Sequence, residues 1–182
     1  MKNLAVLVVI FFCDLYSYGQ ELNKGVGVGY QLSQYQQDFG FGISASTPYF
    51  LKDKLAFRLK TNMMYHQNVL EENTIWIKYS NASFGLIGVS GMINEKIRLY
   101  GEGGIIGIFP SSKMSSQKAY FGGYGLFGFE FFFTNSGNYF IEIGGVGSEA
   151  TANEIATRPI FSNGLTISTG IRFFFNKNKS KD

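Results

Sequence analysis

The chain has 182 residues, 23 of them glycine and three proline, with a net charge of +3, which bounds it to one domain large enough for a sandwich or barrel. Charged residues make up 16% and aromatics 17%, against roughly a quarter charged in ordinary soluble domains; the shortfall leans away from a typical cytosolic protein, and so mild a charge, with no basic stripe among the aromatics, implies no nucleic-acid partner. The glycines follow no Gly-X-Y period, which excludes a collagenous chain, and the single cysteine, Cys13, excludes a disulfide framework and a cysteine metal site.

Residues 1–19 carry the pattern of a secretion signal: Lys2, an apolar run over 4–12, and small residues at Ser17 and Gly19, with cleavage expected before Gln20. The run is shorter than the ~20 residues a bilayer-spanning helix needs. Residues 20–175 are expected to form a single domain and 176–182 a polar tail.

From residue 25 to 175 the sequence alternates with period two, the mark of β-strands. The first strand is predicted over 25–33, with Val26, Val28, Tyr30 and Leu32 on its apolar side. The second, 39–47, sets Phe39, Phe41, Ile43 and Ala45 against Gly40, Gly42, Ser44 and Ser46. The third, 55–65, sets Leu55, Phe57, Leu59 and Met63 against Arg58, Lys60 and Asn62. The fourth lies within 74–93 and is the least regular. The fifth, 97–109, has Arg98, Tyr100 and Glu102 on its polar side. The sixth, 119–133, places Phe121, Phe127, Phe129, Phe131 and Phe133 opposite Gly122, Tyr124, Gly128 and Glu130. The seventh, 139–147, opposes Tyr139, Ile141 and Ile143 to Phe140, Glu142 and Gly144. The eighth, "GLTISTGIRFFF", opposes Leu165, Ile167, Thr169, Ile171, Phe173 and Phe175 to Gly164, Thr166, Ser168, Gly170, Arg172 and Phe174. Turn-forming stretches join them. "QYQQD", "HQNVLEEN", "PSSKMSSQK" and "SEATANEIATRP" are expected as four loops at one end, and "PYFLKDK", "NEK" and "TNSGN" as shorter turns at the other.

Alternation alone does not say which set points inward, because a soluble barrel buries the apolar set and a membrane barrel turns it to lipid. The polar set here is mostly Gly, Ser, Thr and Tyr, suited to the crowded lumen of eight strands rather than to water. Arg58, Glu130, Glu142 and Arg172 are each fourth from the short-turn end of their strand, with Arg98 and Glu102 just below and above. A lumen lets such charges pair, which buried charges require; solvated surface charges are the alternative. Aromatics gather toward strand ends, with Trp76 and Tyr79 near one and Phe129, Phe131, Phe133, Tyr139, Phe173 and Phe175 toward the other, as in the girdles of membrane barrels, although core packing suits the phenylalanines too. The predicted fold class is therefore all-β, an eight-stranded antiparallel up-and-down transmembrane barrel behind a signal peptide.

On this strand pattern, and on its last strand, "GLTISTGIRFFF", the chain resembles the small eight-stranded outer-membrane β-barrel proteins, the group akin to the membrane domain of outer membrane protein A. The resemblance covers about residues 25–175. It implies the Gram-negative outer membrane as location, outer-membrane lipid and the barrel-insertion machinery as partners, an envelope protein as a further partner through the loops, a monomer, and a structural or anchoring role with a plugged lumen. A narrow channel for small or hydrophobic solutes is the alternative, with a lipid-modifying enzyme and a soluble lipid-binding barrel behind it.

No catalytic, cofactor or metal site is expected. "GVGVGY" and "GEGGIIG" do not match a G-x-G-x-x-G phosphate loop and open no helix. His66 is the only histidine, read as solvated at the start of a loop; the His-x-Ser spacing of lipid-modifying barrels is absent, leaving Ser116 or Ser148 to approach it only in space. Glu102, Glu130 and Glu142 form an acid–base set or, with arginines nearby, an ion network. Glu71-Glu72 is a loop pair that either binds a cation or is solvated.

Overall fold

A computed structural model describes residues 25–70, 73–94 and 96–175. The predicted signal with Cys13, the polar tail and the Glu71-Glu72 pair lie outside the described residues. Eight strands follow one another: β1 (Val26–Tyr35), β2 (Asp38–Ser46), β3 (Leu55–Leu70), β4 (Asn73–Ile93), β5 (Ile97–Phe109), β6 (Tyr120–Thr134), β7 (Gly137–Ser148) and β8 (Gly164–Phe175). Each pairs antiparallel with the next, and β1 pairs with β8 from Val26↔Phe175 to Tyr35↔Thr166, so the sheet closes into a barrel. Closure leaves no free edge around the wall, the condition for crossing hydrocarbon with strands.

The alternation is inside out relative to a soluble barrel. Along β1 the exposed residues are Val26, Val28, Tyr30 and Leu32, and the buried ones Gly27, Gly29, Gln31 and Ser33. On β8, Leu165, Ile167, Ile171, Phe173 and Phe175 are exposed while Thr166, Ser168 and Arg172 are buried. Every strand has at least nine residues, about the length that crosses a bilayer at a tilt. An outer wall of this composition has hydrocarbon as its solvent.

Glycines on the inner wall let a narrow barrel hold large rings. A Cβ at Gly128 would stand 2.3 Å from the Tyr100 ring on β5, so Gly128 is the space in which that ring lies. Gly164 opens β8 at φ +84°, pressed against the Gln36 side chain, a backbone that glycine adopts at little cost.

Three expectations about connections are corrected. "QYQQD" is not a loop: β1 and β2 meet at Tyr35↔Asp38 through Gln36 and Gln37 alone. Most of "HQNVLEEN" is strand, because β3 runs to Leu70 paired with Asn73. Among the described residues, only 110–119 and 149–163 form long loops at the end expected to display four. In addition, β4 carries a bulge between Val89 and Gly91, and β6 another between Phe132 and Thr134, each re-aiming the residues beyond it.

This orientation predicts that Ile171→Arg, near the middle of β8 on the outer wall, destabilises the barrel in lipid vesicles by about 2–4 kcal/mol, read from urea unfolding. A change near zero, as for a water-exposed side chain, would contradict an apolar surround.

Candidate functional site

The barrel interior is layered, and its middle layer is charged. Arg58 from β3 reaches Glu102 on β5 at 2.7 Å and Glu142 on β7 at 2.6 Å, with Glu130 on β6 at 4.0 Å. Arg172 from β8 pairs with Glu130 and lies 3.4 Å from Glu142. Arg98 sits opposite Glu130 across the β5–β6 ladder, 3.2 Å away. The six side chains expected near one level thus lie in one connected set of ion pairs.

Lys60 belongs to the same set. Its Nζ is 2.9 Å from Glu102 and 3.8 Å from Glu142. The sequence signal was present, since Lys60 is two residues above Arg58 on the same face. Tyr100 donates its hydroxyl to Glu142 at 2.5 Å and Tyr124 to Glu102 at 2.6 Å. Aromatic faces cover the cations: Arg172 lies 4.2 Å from the Phe140 ring centre, Lys60 4.7 Å from Tyr124, and Arg98 4.7 Å from Tyr49. All seven charged side chains are almost wholly buried. Four cations face three carboxylates, so each carboxylate is shared and none is spare.

Apolar layers lie on either side. Toward the short turns, Tyr49, Ala56, Ile87, Tyr100 and Phe174 pack together with Val89, Leu126 and Phe132 against them. On the other side of the charges is a neutral polar layer: Gln31 donates to Asn62 at 2.7 Å, Asn62 to Asn81 at 2.8 Å, and Ser168 to Ser33 at 2.9 Å. Above it, Tyr35, Met64, Tyr79, Ile106 and Ile108 from the wall form one cluster with Met114 of the β5–β6 loop and Ala150, Ala152, Ile155 and Phe161 of the β7–β8 loop.

The two loops are also joined to each other. The Ser116 backbone N–H donates to Asn153 Oδ1 at 2.9 Å and the Asn153 amide returns a bond to Ser116 Oγ at 2.8 Å. The Glu154 N–H donates to the Met114 carbonyl at 3.0 Å, and the Tyr120 hydroxyl to the Thr151 carbonyl at 2.8 Å. A buried carboxylate fastens the second loop to the wall. Asp38 Oδ2 accepts the Ser162 N–H at 3.1 Å and the Tyr79 hydroxyl at 2.6 Å, and Asp38 Oδ1 lies 2.6 Å from His66 Nδ1.

That geometry corrects two expectations. His66 is not a solvated loop residue; it is buried in β3 with Asp38 as its partner. Tyr79 is not on the outer girdle; it is 2% exposed, facing inward and stacked edge-on against Phe161 at 5.0 Å. The other girdle residues lie on the outer wall. Trp76, Phe133, Tyr139, Phe173 and Phe175 are exposed, and the half-buried Phe129 and Phe131 continue ring to ring between the exposed Phe127 and Tyr139. The Ser116 hydroxyl accepts from the Asn153 amide and the Ser148 hydroxyl donates to the Ser162 carbonyl, while the partner of His66 is Asp38. Among the described residues no group of three or more His, Cys, Asp or Glu side chains is placed to hold a metal.

No family model matches the chain, and no curated protein matches it. Solved structures do. The N-terminal β-barrel domain of Pseudomonas aeruginosa OprF superposes with a TM-score of 0.60 at 14% identity, over 85% of this chain and 100% of that one. The outer membrane protein OprG from Pseudomonas aeruginosa gives 0.58 at 13% identity, over 87% and 100%.

The fold is that of a small outer-membrane barrel.

The likeness is one of architecture, and the rest follows from this chain's own residues. A closed wall with an apolar exterior and a charged interior makes it a transmembrane β-barrel, held in register by contacts across the lumen as well as by its ladders.

Removing one member of a buried ion set leaves its partners uncompensated, at a cost of about 3–5 kcal/mol. Glu142→Gln, which strips a shared carboxylate from Arg58, Arg172 and Lys60, is therefore expected to lower the urea unfolding free energy by that amount. Lys60→Met leaves three cations to three carboxylates and is expected to cost clearly less; equal losses would refute the count. At the mouth, Asp38→Asn removes the charge that fastens the β7–β8 loop. Cleavage after Glu154 by a glutamyl endoprotease is expected to accelerate while the barrel stays folded, and an unchanged rate would show that the apolar cluster alone holds the loop.

Proposed function

We propose that this protein is an integral outer-membrane scaffold: a monomeric eight-stranded barrel with a plugged lumen. It anchors in outer-membrane lipid and offers its outward loop surface to another component of the envelope. In this reading residues 1–19 direct export, the barrel-insertion machinery places the chain, and the Phe173 and Phe175 end of β8 is what that machinery reads. The observation that carries the proposal is the filling of the interior. A belt of seven ionic side chains runs across the lumen between two apolar clusters, and eight strands leave only about enough room for side chains. A diffusion pore needs a wetted path, which open channels obtain with many more strands.

The role of support and anchorage follows from the same features. An interior filled by paired ionic side chains and apolar clusters, inside a wall suited to lipid, supports this role. The two joined loops are the part of the chain positioned to meet a partner.

Planar-bilayer recording tests this. The wild type is expected to pass no ions. A variant combining Arg172→Ala and Glu130→Ala with a short turn in place of residues 149–163 is expected to show discrete conductance steps. Steady conductance by the wild type would overturn the scaffold reading in favour of a narrow conduit for small solutes.

A further inference from the structure

The outer wall has a dent at its short-turn end. A groove of about 310 Å³ is lined by Val26, Ala45, Pro48, Phe57, Leu59 and Phe84, at the lower end of the roughly 300–1,000 Å³ in which proteins hold small ligands. Its cause is one small residue. Along β2 the outward side chains are Phe39, Phe41, Ile43 and then Ala45, and Ala45 lies between Val28 on β1 and Leu59 on β3. The Phe57 and Phe84 rings, stacked at 5.6 Å, form one bank.

The turn below the groove differs from the β6–β7 turn at the same end. The β6–β7 turn carries only small polar residues, Asn135 and Ser136. The β2–β3 connection spans 47–54, and its tip is Phe50-Leu51-Lys52-Asp53-Lys54, with one net positive charge. It is closed by the Phe50↔Leu55 bridge, in which the Phe50 N–H donates to the Leu55 carbonyl at 2.7 Å. The Phe50 ring rests on Phe57 at 5.4 Å, continuing the bank of the groove into the turn. Leu51 is 68% exposed and Lys52 is exposed beside it. Short turns of membrane barrels face the periplasm, so this end meets the headgroups of the inner-facing leaflet, where lysines attract anionic lipid.

We propose that the groove is a binding site for one anionic glycerophospholipid of that leaflet. Its acyl chain lies over Ala45 between Leu59 and the Phe57–Phe84 pair, and its phosphate sits against Lys52, with Phe50 and Leu51 flanking the glycerol. An apolar trough whose bank runs through Phe57 and Phe50 into a lysine-bearing turn fits an amphiphile with one fatty chain and an anionic head, and fits free phosphate at only one of its two ends. The inference rests on the transmembrane reading and adds a stoichiometric lipid to it.

Native mass spectrometry of the full chain in detergent, titrated with phosphatidylglycerol, tests the site. The wild type is expected to retain one phosphatidylglycerol after detergent has stripped the others. Ala45→Phe fills the trough and is expected to lower that occupancy at least tenfold; Lys52→Glu is expected to do the same for phosphatidylglycerol without lowering phosphatidylcholine binding. Ile143→Phe, on the outer wall of β7, serves as the control and is expected to change nothing. Statistical adducts unaltered in Ala45→Phe, or an equal loss in the control, would overturn the site. An unchanged affinity in Lys52→Glu would overturn the phosphate contact, and with it the proposed lipid class. Heat-dependent mobility on a detergent gel reports folding for each protein; a wild type without it would overturn both the site and the barrel in the bilayer.

Discussion

Hydrocarbon offers a peptide group no hydrogen-bonding partner, and that one constraint organises the molecule. It requires each strand to be paired on both sides, which the Val26–Phe175 seam between β1 and β8 completes. It turns the apolar set outward, because the bilayer is the apolar phase. The inner set must then be polar or small, and it is confined within a wall of only eight strands.

Confinement in turn governs the interior. Side chains from facing strands meet across the lumen, so an arginine on β3 contacts glutamates on β5 and β7. Charges in such a space are stable only as a set, each held by several partners and covered by ring faces. Glycine does on this inner wall what it seldom does in a strand: Gly128 makes room for Tyr100, whose hydroxyl then reaches Glu142. At such inward positions glycine is a packing device.

How much of this was legible in the sequence follows from where period two is enforced. The bounds of β5 and β8 are those the pattern predicts, because along both strands one face meets lipid and the other meets the lumen. Beyond the bilayer the pattern loses its cause. His66 and Asn68 continue β3 and point inward, yet their polar neighbours made the stretch read as a loop. Tyr79 was misplaced because aromatic character alone does not give a side, and the bulge at Val89 shifts the inside–outside phase of β4 so that the strand cannot be counted from its lower end. The charge levels were readable by counting residues from the turns. The partner of His66 was not, since Asp38 opens β2 in a stretch that looked like a loop, and nothing local marks the Ser162 N–H that also reaches it.

The hydrogen bonds between Ser116 and Asn153 have a bearing on how the outward face can change over time. Surface loops of a barrel ordinarily drift independently, since each is rooted in its own hairpin. Here the two long ones share a seam and a common apolar floor, so a length change in one disturbs the footing of the other. Variation on this face should therefore be inherited in pairs, because the two loops present a single composite surface rather than separate tips.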